Sequence, residues 1–278
     1  MYGFVGTGEL TAAIVTGLAG PAGPTGDSSP LGASGGAGIF LSPRGKEIGQ
    51  ELAERFPDVR VCSNNQEVID STPVVVLAVR PQVAQEVLQE LTFHDQVVVS
   101  AIAAVSLAQL REWAPGAAAY VRSIPLPAAA NRQSLTAMYP DDPTARELFE
   151  RVGQVVVPAD EQTLDAFSAA TATAAAHLDY VATIADWLST NGVAATDATA
   201  YMAHLFAQLG QSLDQPNVSL TELAAAHMTP GGLNQQFKTD LHQAGVPNAV
   251  RAGLDRVLAR VRGTAHENQP PAPDPVRP

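Results

Sequence analysis

The sequence predicts an α/β protein, with a doubly wound, mostly parallel sheet in the N-terminal part followed by an all-α C-terminal domain. Three observations carry this prediction. Through residues 1–160, short β-branched runs alternate with helical repeats. A Gly-Thr-Gly turn at residues 6–8 joins the first such run to the first repeat. From about Glu161 the strand-like runs stop, and alanine fills 15 of the 43 positions from Ala166 to Gln208. A chain of 278 residues also exceeds the roughly 100–200 of one typical domain.

Taken in order, Tyr2 to Val5, Ile39 to Ser42, Val74 to Val79 and Val97 to Ala101 read as strands, because they are short, apolar and rich in β-branched residues. Between them, Leu10, Ala13, Ile14, Gly17 and Leu18 recur with helical spacing, as do Ile48, Leu52 and Phe56, and then Val83, Val87, Leu88 and Leu91. Strands that are apolar throughout require cover on both faces, which means a parallel sheet between helical layers. The run Gln154 to Val157 closes this domain. Residues 19–38 interrupt the pattern: 13 of these 20 are Gly, Pro or Ser, which predicts a flexible surface loop.

Residues 161–262 read as helices. Alanine-rich helices bury little area per residue, so a partner subunit would help stabilise them. Ser219 and Glu222 have capping-box spacing and start a short helix. The turn Thr229-Pro230-Gly231-Gly232 precedes two more helices, the last with Pro247 near its start and Val250, Leu254, Val257 and Val261 along one face. Residues 263–278 hold five prolines and predict a disordered tail.

Composition narrows the function. There are 16 basic against 28 acidic side chains, a net charge of −12, and only two lysines, Lys46 and Lys238, which argues against nucleic acid as a partner. No run approaches the roughly 20 apolar residues that span a bilayer. Glycines at 6 and 8 break the first apolar stretch before it could serve as a secretory signal. One cysteine, Cys62, builds neither an intrachain disulfide nor a thiolate metal site, and reads as core at the end of a short strand. No histidine spacing supports a metal. The expectation is a cytoplasmic protein acting on a small molecule.

The glycine turn is the strongest chemical signal. Gly6-Thr7-Gly8 follows a strand, and Glu9 and Leu10 open a helix. A first glycine permits the tight turn, and a second lets a pyrophosphate approach backbone amides at the positive end of the helix. Thr11 stands where a third glycine or alanine usually packs helix against strand, which predicts slightly looser packing there. The second strand leads into Ser42-Pro43-Arg44, where an NAD site would place an acid for the ribose hydroxyls. A hydroxyl and a guanidinium suit a 2′-phosphate, so the expected cofactor is NADPH. Lys46 reads as a solvated charge at a helix start. Ala78-Val79-Arg80-Pro81 ends a strand at the edge where open α/β sheets bind ligands.

Together, Gly3 to Gly8, Ser42-Pro43-Arg44, Ala78 to Gln82, Ser100 to Ser106, Val121 to Pro125 and Thr229-Pro230-Gly231-Gly232 resemble the pyrroline-5-carboxylate reductase family, in the family's order. The resemblance implies a Rossmann-like N-terminal domain and a C-terminal domain that dimerises, or assembles further, through interlocking helices. It implies hydride transfer from NAD(P)H to the imine carbon of pyrroline-5-carboxylate, giving proline. Asn65 would lie near the adenosine, while Ala78, Val79, Arg80, Pro81, Ala101 and Ala103 would line the nicotinamide end. The loop from Thr229 to Asn234 would hold the substrate carboxylate, partly across the dimer. Gly231, Gly232 and Leu233 would grip it through backbone amides at a helix N-terminus, with Thr229 and Asn234 nearest the chemistry. Without the resemblance, two readings stay open: the Pro-Gly-Gly turns the chain between two helices, or the amides of Gly232 and Leu233 converge on an anion with the helix dipole.

The sequence also departs from the family. Leu126 follows Ile124-Pro125 where an asparagine is usual, Ala172 to Ala176 replaces a Gly-Ser-Gly-Pro-Ala stretch, and Asn234 replaces a threonine whose hydroxyl bonds the substrate nitrogen. Asparagine is longer and relays no proton. His227, two residues before Thr229, reads as a surface histidine, and Tyr180 and Trp187 as residues that meet a partner. Two other readings stand beside the first: a related NADPH-dependent reductase of another imine or of a carbonyl, and a dinucleotide-binding protein without catalysis.

Overall fold

The computed structural model of the chain describes residues 1–20, 38–213 and 218–264. The loop expected at 19–38 and the tail expected at 263–278 fall almost wholly outside the described residues. The described chain forms two compact units, one of Met1–Ser168 with the stretch from Arg260, the other of Ala169–Ala259.

In the first unit, β1 (Tyr2–Val5) leads through the glycine turn into α1 (Glu9–Ala19). There follow β2 (Ile39–Leu41), α2 (Lys46–Arg55), β3 (Val59–Val61), α3 (Asn65–Ser71) and β4 (Val74–Leu77). Next come α4 (Pro81–Gln89), β5 (Val97–Ser100), α5 (Leu107–Trp113) and β6 (Ala119–Ile124). A 3-10 turn at Pro127–Asn131, β7 (Ser134–Tyr139), α6 (Pro143–Glu150) and β8 (Gly153–Val156) complete the sheet. Its eight strands run in the order β3-β2-β1-β4-β5-β6-β7-β8.

The apolar runs do what both-face cover requires. Along β4, Val74 and Val76 enter one core with Phe4, Leu18 and Phe149, while Val75 and Leu77 enter a second with Val5, Leu88 and Leu110. Successive side chains of a strand point to opposite faces, so one four-residue run supplies both layers. Cys62, just after β3, is buried in the second core, and that burial pushes its thiol pKa up.

The short strand expected to end at Cys62 forms as β3, one residue shorter, and the sheet holds two strands that the apolar-run reading did not name. β6 and β7 carry polar positions such as Arg122 and Thr136 among their apolar residues, which dilutes the signal. β6 and β7 pair antiparallel, with Ser123 opposite Met138. Residues 125–133 that join them are fewer than the dozen or so a parallel crossover needs, so the chain turns back. Three expected strands end sooner, at Leu41, Leu77 and Ser100, where the chain leaves the ladder for the ligand-side loops.

Packing of α1 explains Gly17. A Cβ there would collide with the carbonyl of Ala129 in the 3-10 turn. Arg132, at φ +57, closes the same contact by donating Nε to the Gly17 carbonyl at 2.8 Å and a terminal nitrogen to the Gly20 carbonyl at 2.8 Å. Last-turn carbonyls of a helix have no partner within it, and this guanidinium supplies one.

The alanine-rich stretch is divided. After α7 (Glu161–Thr171) come α8 (Thr173–Thr190), α9 (Ala195–Ser212), α10 (Leu220–Ala226), α11 (Leu233–Gln243) and α12 (Val246–Val261). In the second unit the buried cluster is small: Ala185, Ala198 and Met202, flanked by half-buried Val181, Ile184, Leu188 and Phe206. Tyr180, expected to meet a partner, packs edge-on against Phe206 at 6.0 Å within the chain. Trp187, Leu178 and Tyr201 are each more than 60% exposed. No described helix is long and apolar enough to cross a membrane.

The Ser219 capping box forms as spaced. The Glu222 amide donates to the Ser219 hydroxyl at 3.2 Å, while the Glu222 carboxylate accepts from the Ser219 amide at 2.8 Å and hydroxyl at 2.7 Å. Those donors hold the Glu222 carboxyl below its ordinary value of 4.5. A lowered folded pKa means the box stabilises above the ordinary value and is lost as pH falls through the lowered one. By NMR titration, Ser219→Ala should return Glu222 toward 4.5 and loosen α10 at neutral pH. Gly17→Ala should lower the urea midpoint, because overpacking costs about 1–3 kcal/mol while alanine's helical advantage returns only about 1 kcal/mol.

Candidate functional site

The site is built from the loops that follow β1, β2, β4 and β5. β1 lies between β2 and β4, which the chain reaches in opposite directions from it, so a crevice opens at the carboxyl ends of these strands. Gly6 leaves β1 at φ +103, and a Cβ there would collide with the backbone of Ala78 and Val79 beyond β4. Gly45 stands at φ +87, where a Cβ would collide with the Thr7 carbonyl. The turn after β2 and the glycine turn therefore touch backbone to backbone.

Hydroxyls lock this contact. The Gly6 amide donates to Ser42 Oγ at 2.9 Å, Ser42 Oγ and Thr7 Oγ1 lie 3.1 Å apart, and Thr7 Oγ1 donates to the Ser42 carbonyl at 2.9 Å. With the Thr7 proton on that carbonyl, the Ser42 proton goes to Thr7 Oγ1. Ser42 is buried and its hydroxyl is spent. The expectation that it donates to a phosphate is corrected accordingly: it supports the loop from behind. Thr11 is corrected as well. Rather than loosening the packing, it is fully buried and donates to the Gly6 carbonyl at 2.6 Å.

In front of the loop the situation reverses. Gly8 caps α1 with no side-chain hydrogen bond, and the first helical bond runs from the Ala12 amide to the Gly8 carbonyl at 2.9 Å. The amides of Glu9, Leu10 and Thr11 thus have no partner within the helix. A Cβ on Gly8 would meet nothing within 4 Å. Open space before free amides and a positive helix end is a cradle for an anion, and a dinucleotide pyrophosphate fits it.

Around this cradle, Arg44 and Lys46 are exposed, and neither has an ion pair among the described residues. Asn65 begins α3 and is half-buried; the cap itself is Asn64, whose side chain accepts from the Glu67 amide at 2.9 Å. The Glu67 carboxyl is held low by the Ser63 amide and hydroxyl, then by Arg60. Ala78 and Val79 are half-buried beside Gly6, Arg80 caps α4, and Pro81 is its first residue. Ala101 is half-buried and Ala103 exposed in the loop after β5. No group of three or more potential metal ligands occurs among the described residues.

The second candidate lies in the helical unit. Gly231 turns at φ +70 ahead of α11, but its amide donates to the Gln235 side chain at 2.7 Å, and the Gly232 amide donates to the Thr229 carbonyl at 2.9 Å. Neither expected glycine amide is free. The first α11 bond runs from the Gln236 amide to the Gly232 carbonyl at 3.0 Å, leaving the amides of Leu233, Asn234 and Gln235 without helical partners. The donor set moves one step along the chain. Asn234 Nδ2 donates to the His227 carbonyl at 2.8 Å, so its side chain closes the end of α10. His227 is exposed at that cap, and Leu233 is 84% exposed.

Comparison with known proteins agrees with this geometry. Residues 1–104 match the family model described as NADP oxidoreductase, coenzyme F420-dependent. A pyrroline-5-carboxylate reductase of Pseudomonas aeruginosa is 28% identical over 176 residues, 60% of this chain and 60% of that protein. Pyrroline-5-carboxylate reductase 2 of Bacillus subtilis is 25% identical over 269 residues, 93% of this chain and 92% of that protein. The crystallised 1-pyrroline-5-carboxylate reductase of Streptococcus pyogenes shares the fold with a TM-score of 0.76 at 22% identity, covering 94% of this chain and 98% of that one. Over nearly all of its length this chain is similar to pyrroline-5-carboxylate reductases. It is an NADP-binding oxidoreductase.

Two contacts of this chain were not read from its sequence. Gly45 could have been read as the left-handed residue that starts α2 after Ser-Pro-Arg. Arg122, buried on β6 between acids of α7, had no local signal, because its partners lie about forty residues away. Gly8→Ala should leave thermal unfolding unchanged, since the added methyl meets nothing, yet reduce NADPH affinity by more than about tenfold by blocking the cradle. Arg44→Ala should weaken NADPH more than NADH in fluorescence titrations, whereas Ser42→Ala should weaken both alike.

Proposed function

We propose that the chain reduces pyrroline-5-carboxylate to proline with NADPH, acting in the cytoplasm as a homodimer or a larger assembly of dimers. The observation that carries this reading is the presence, in one chain similar to pyrroline-5-carboxylate reductases, of two helix starts without a side-chain cap: α1 behind Gly8 and α11 behind Gly232. One suits the pyrophosphate of a dinucleotide and the other a small carboxylate. Bound NADPH supplies the hydride, and the protein supplies placement and electrostatics.

On this reading, the amides of Glu9 and Leu10 hold the pyrophosphate, with Thr7 and Gly8 leaving it room. Arg44 faces the 2′-phosphate, Asn65 the adenosine, and Ala78 to Pro81 with Ala101 and Ala103 the nicotinamide end. The amides of Leu233 and Asn234 take the substrate carboxylate. Asn234 Nδ2 is occupied by the His227 carbonyl, so Oδ1 is the atom left to accept the N–H of a protonated imine. That proton comes from solvent, and no side-chain acid is needed. Thr229 shapes the turn, because its carbonyl closes on the Gly232 amide. The homodimer is supported by the small buried cluster of the helical unit and its exposed Leu178, Trp187 and Tyr201.

A second reading keeps the cofactor and replaces the substrate by another cyclic imine or a carbonyl compound. Its support is Asn234, which places a carboxamide where a hydroxyl would favour pyrroline-5-carboxylate. The decisive assay follows NADPH oxidation with pyrroline-5-carboxylate beside a panel of cyclic imines and ketones. Turnover highest with pyrroline-5-carboxylate supports the first reading, turnover only with another compound supports the second, and tight NADPH binding with no turnover sinks both. Asn234→Thr should raise kcat/KM for pyrroline-5-carboxylate; an unchanged or lower value counts against the assigned register.

A further inference from the structure

The loop from β5 to α5, residues 101–106, is strained and yet tied at both ends. Ala104 sits at φ +58, a left-handed conformation that alanine adopts only where its surroundings impose it. At the start, the Ala101 amide donates to the Leu77 carbonyl at 2.8 Å, the Ser123 hydroxyl to the Ser100 carbonyl at 3.1 Å, and the Ile102 amide to Ser100 Oγ at 3.2 Å. At the far end, the Leu107 amide donates to Glu161 Oε1 at 2.8 Å.

That carboxylate does not stand alone. Arg122, with its side chain only 8% exposed, gives one terminal nitrogen to Glu161 Oε1 at 2.8 Å and the other to Asp165 at 2.9 Å. Arg262 approaches Asp165 at 3.7 Å and donates to the Gln162 carbonyl at 3.0 Å. Two cations meet two anions, so the network is balanced, and a cavity of about 600 Å³ opens beside it, lined by Ala104, Ser106, Arg122, Glu161 and Arg262. Buried ion pairs are weak evidence of stabilisation, because desolvation offsets much of the attraction. Their geometry is the better guide. Of the four charged groups, Glu161 is the one that also bonds the loop.

The loop's position gives that bond a consequence. In the order β2-β1-β4-β5, the loop after β5 lies on the opposite side of the glycine turn from β2, where the adenosine half belongs. Residues 101–106 therefore flank the nicotinamide half of the bound dinucleotide. We propose that Glu161 is a positioning residue: braced by Arg122, it holds the Leu107 amide and so fixes the strained 101–106 loop against the nicotinamide ring. The kinetic part of the test rests on the proposed reduction, and the spectroscopic part does not.

Three variants separate geometry from charge. Glu161→Asp keeps the charge for Arg122 but is one methylene too short to hold the Leu107 amide as well. Glu161→Gln loses the charge but keeps an oxygen for that amide, and Asp165→Asn unbalances the network without touching the loop. Emission of NADPH at saturation reports the surroundings of the ring. Glu161→Asp should move it toward that of free NADPH and lower kcat roughly tenfold, with the KM for the imine nearly unchanged. Glu161→Gln and Asp165→Asn should lower the unfolding temperature while leaving emission close to wild type. Wild-type emission and kcat in Glu161→Asp would overturn the proposal, as would emission shifts that track the loss of unfolding temperature across all three. If wild-type protein fails to reduce pyrroline-5-carboxylate, the proposed reaction falls, and the emission comparison still decides the role of Glu161.

Discussion

The backbone contact between the glycine turn and the turn after β2 is the constraint on which the dinucleotide-binding unit depends. Gly6 must pass Ala78 and Val79, and Gly45 must pass the Thr7 carbonyl, with no room for a Cβ at either place. Ser42, Thr7 and Thr11 then satisfy the polar groups that this close approach buries. Unpaired, those groups would be costly to bury. The same bonds use the Gly6 amide and the hydroxyls of Thr7, Ser42 and Thr11, and leave the first amides of α1 without helical partners. A rigid, saturated back and an unsatisfied front make an anion site that is formed before any ligand arrives, so little ordering cost falls on binding.

Charge is arranged locally in ways the total does not suggest. A net charge of −12 would repel a dinucleotide phosphate at long range. Screening limits that repulsion to roughly 8 Å at physiological salt, and the cradle acts through amides in direct contact. Arg44 and Lys46 flank the cradle as exposed cations, whereas Arg122 is buried and committed to Glu161 and Asp165. Burial thus separates the arginines of one acidic chain: Arg122 is committed to its acids, while Arg44 stays open to solvent.

Much of the fold was legible because its signals are local. Four-residue apolar runs, helical repeats and the Gly-Thr-Gly turn depend on neighbours in sequence, and the strands β1, β2, β4 and β5 formed where those runs lie. The Ser219 box formed at its expected spacing for the same reason. β6 and β7 were harder to read, since polar residues such as Arg122 and Thr136 interrupt their pattern for partners distant along the chain. The site was partly legible. Gly6 and Gly8 were recognisable from context, but whether a given amide or hydroxyl stays free is a question of who sits opposite it. Ser42 turned inward, and Gly231 and Gly232 spent their amides on Gln235 and Thr229.

By itself, then, the sequence determined the class of fold, the place of the Gly-Thr-Gly turn and the resemblance to a reductase family, because each is written in contiguous residues. Tertiary structure alone decided which donors face a ligand and which are used up holding the loops, because hydrogen bonds are allotted by distance in space. It also decided that Arg122 and Glu161 meet, joining β6, α7 and the start of α5 at one point. Side chains thirty-nine residues apart share no local pattern, and only the folded sheet brings them within 2.8 Å.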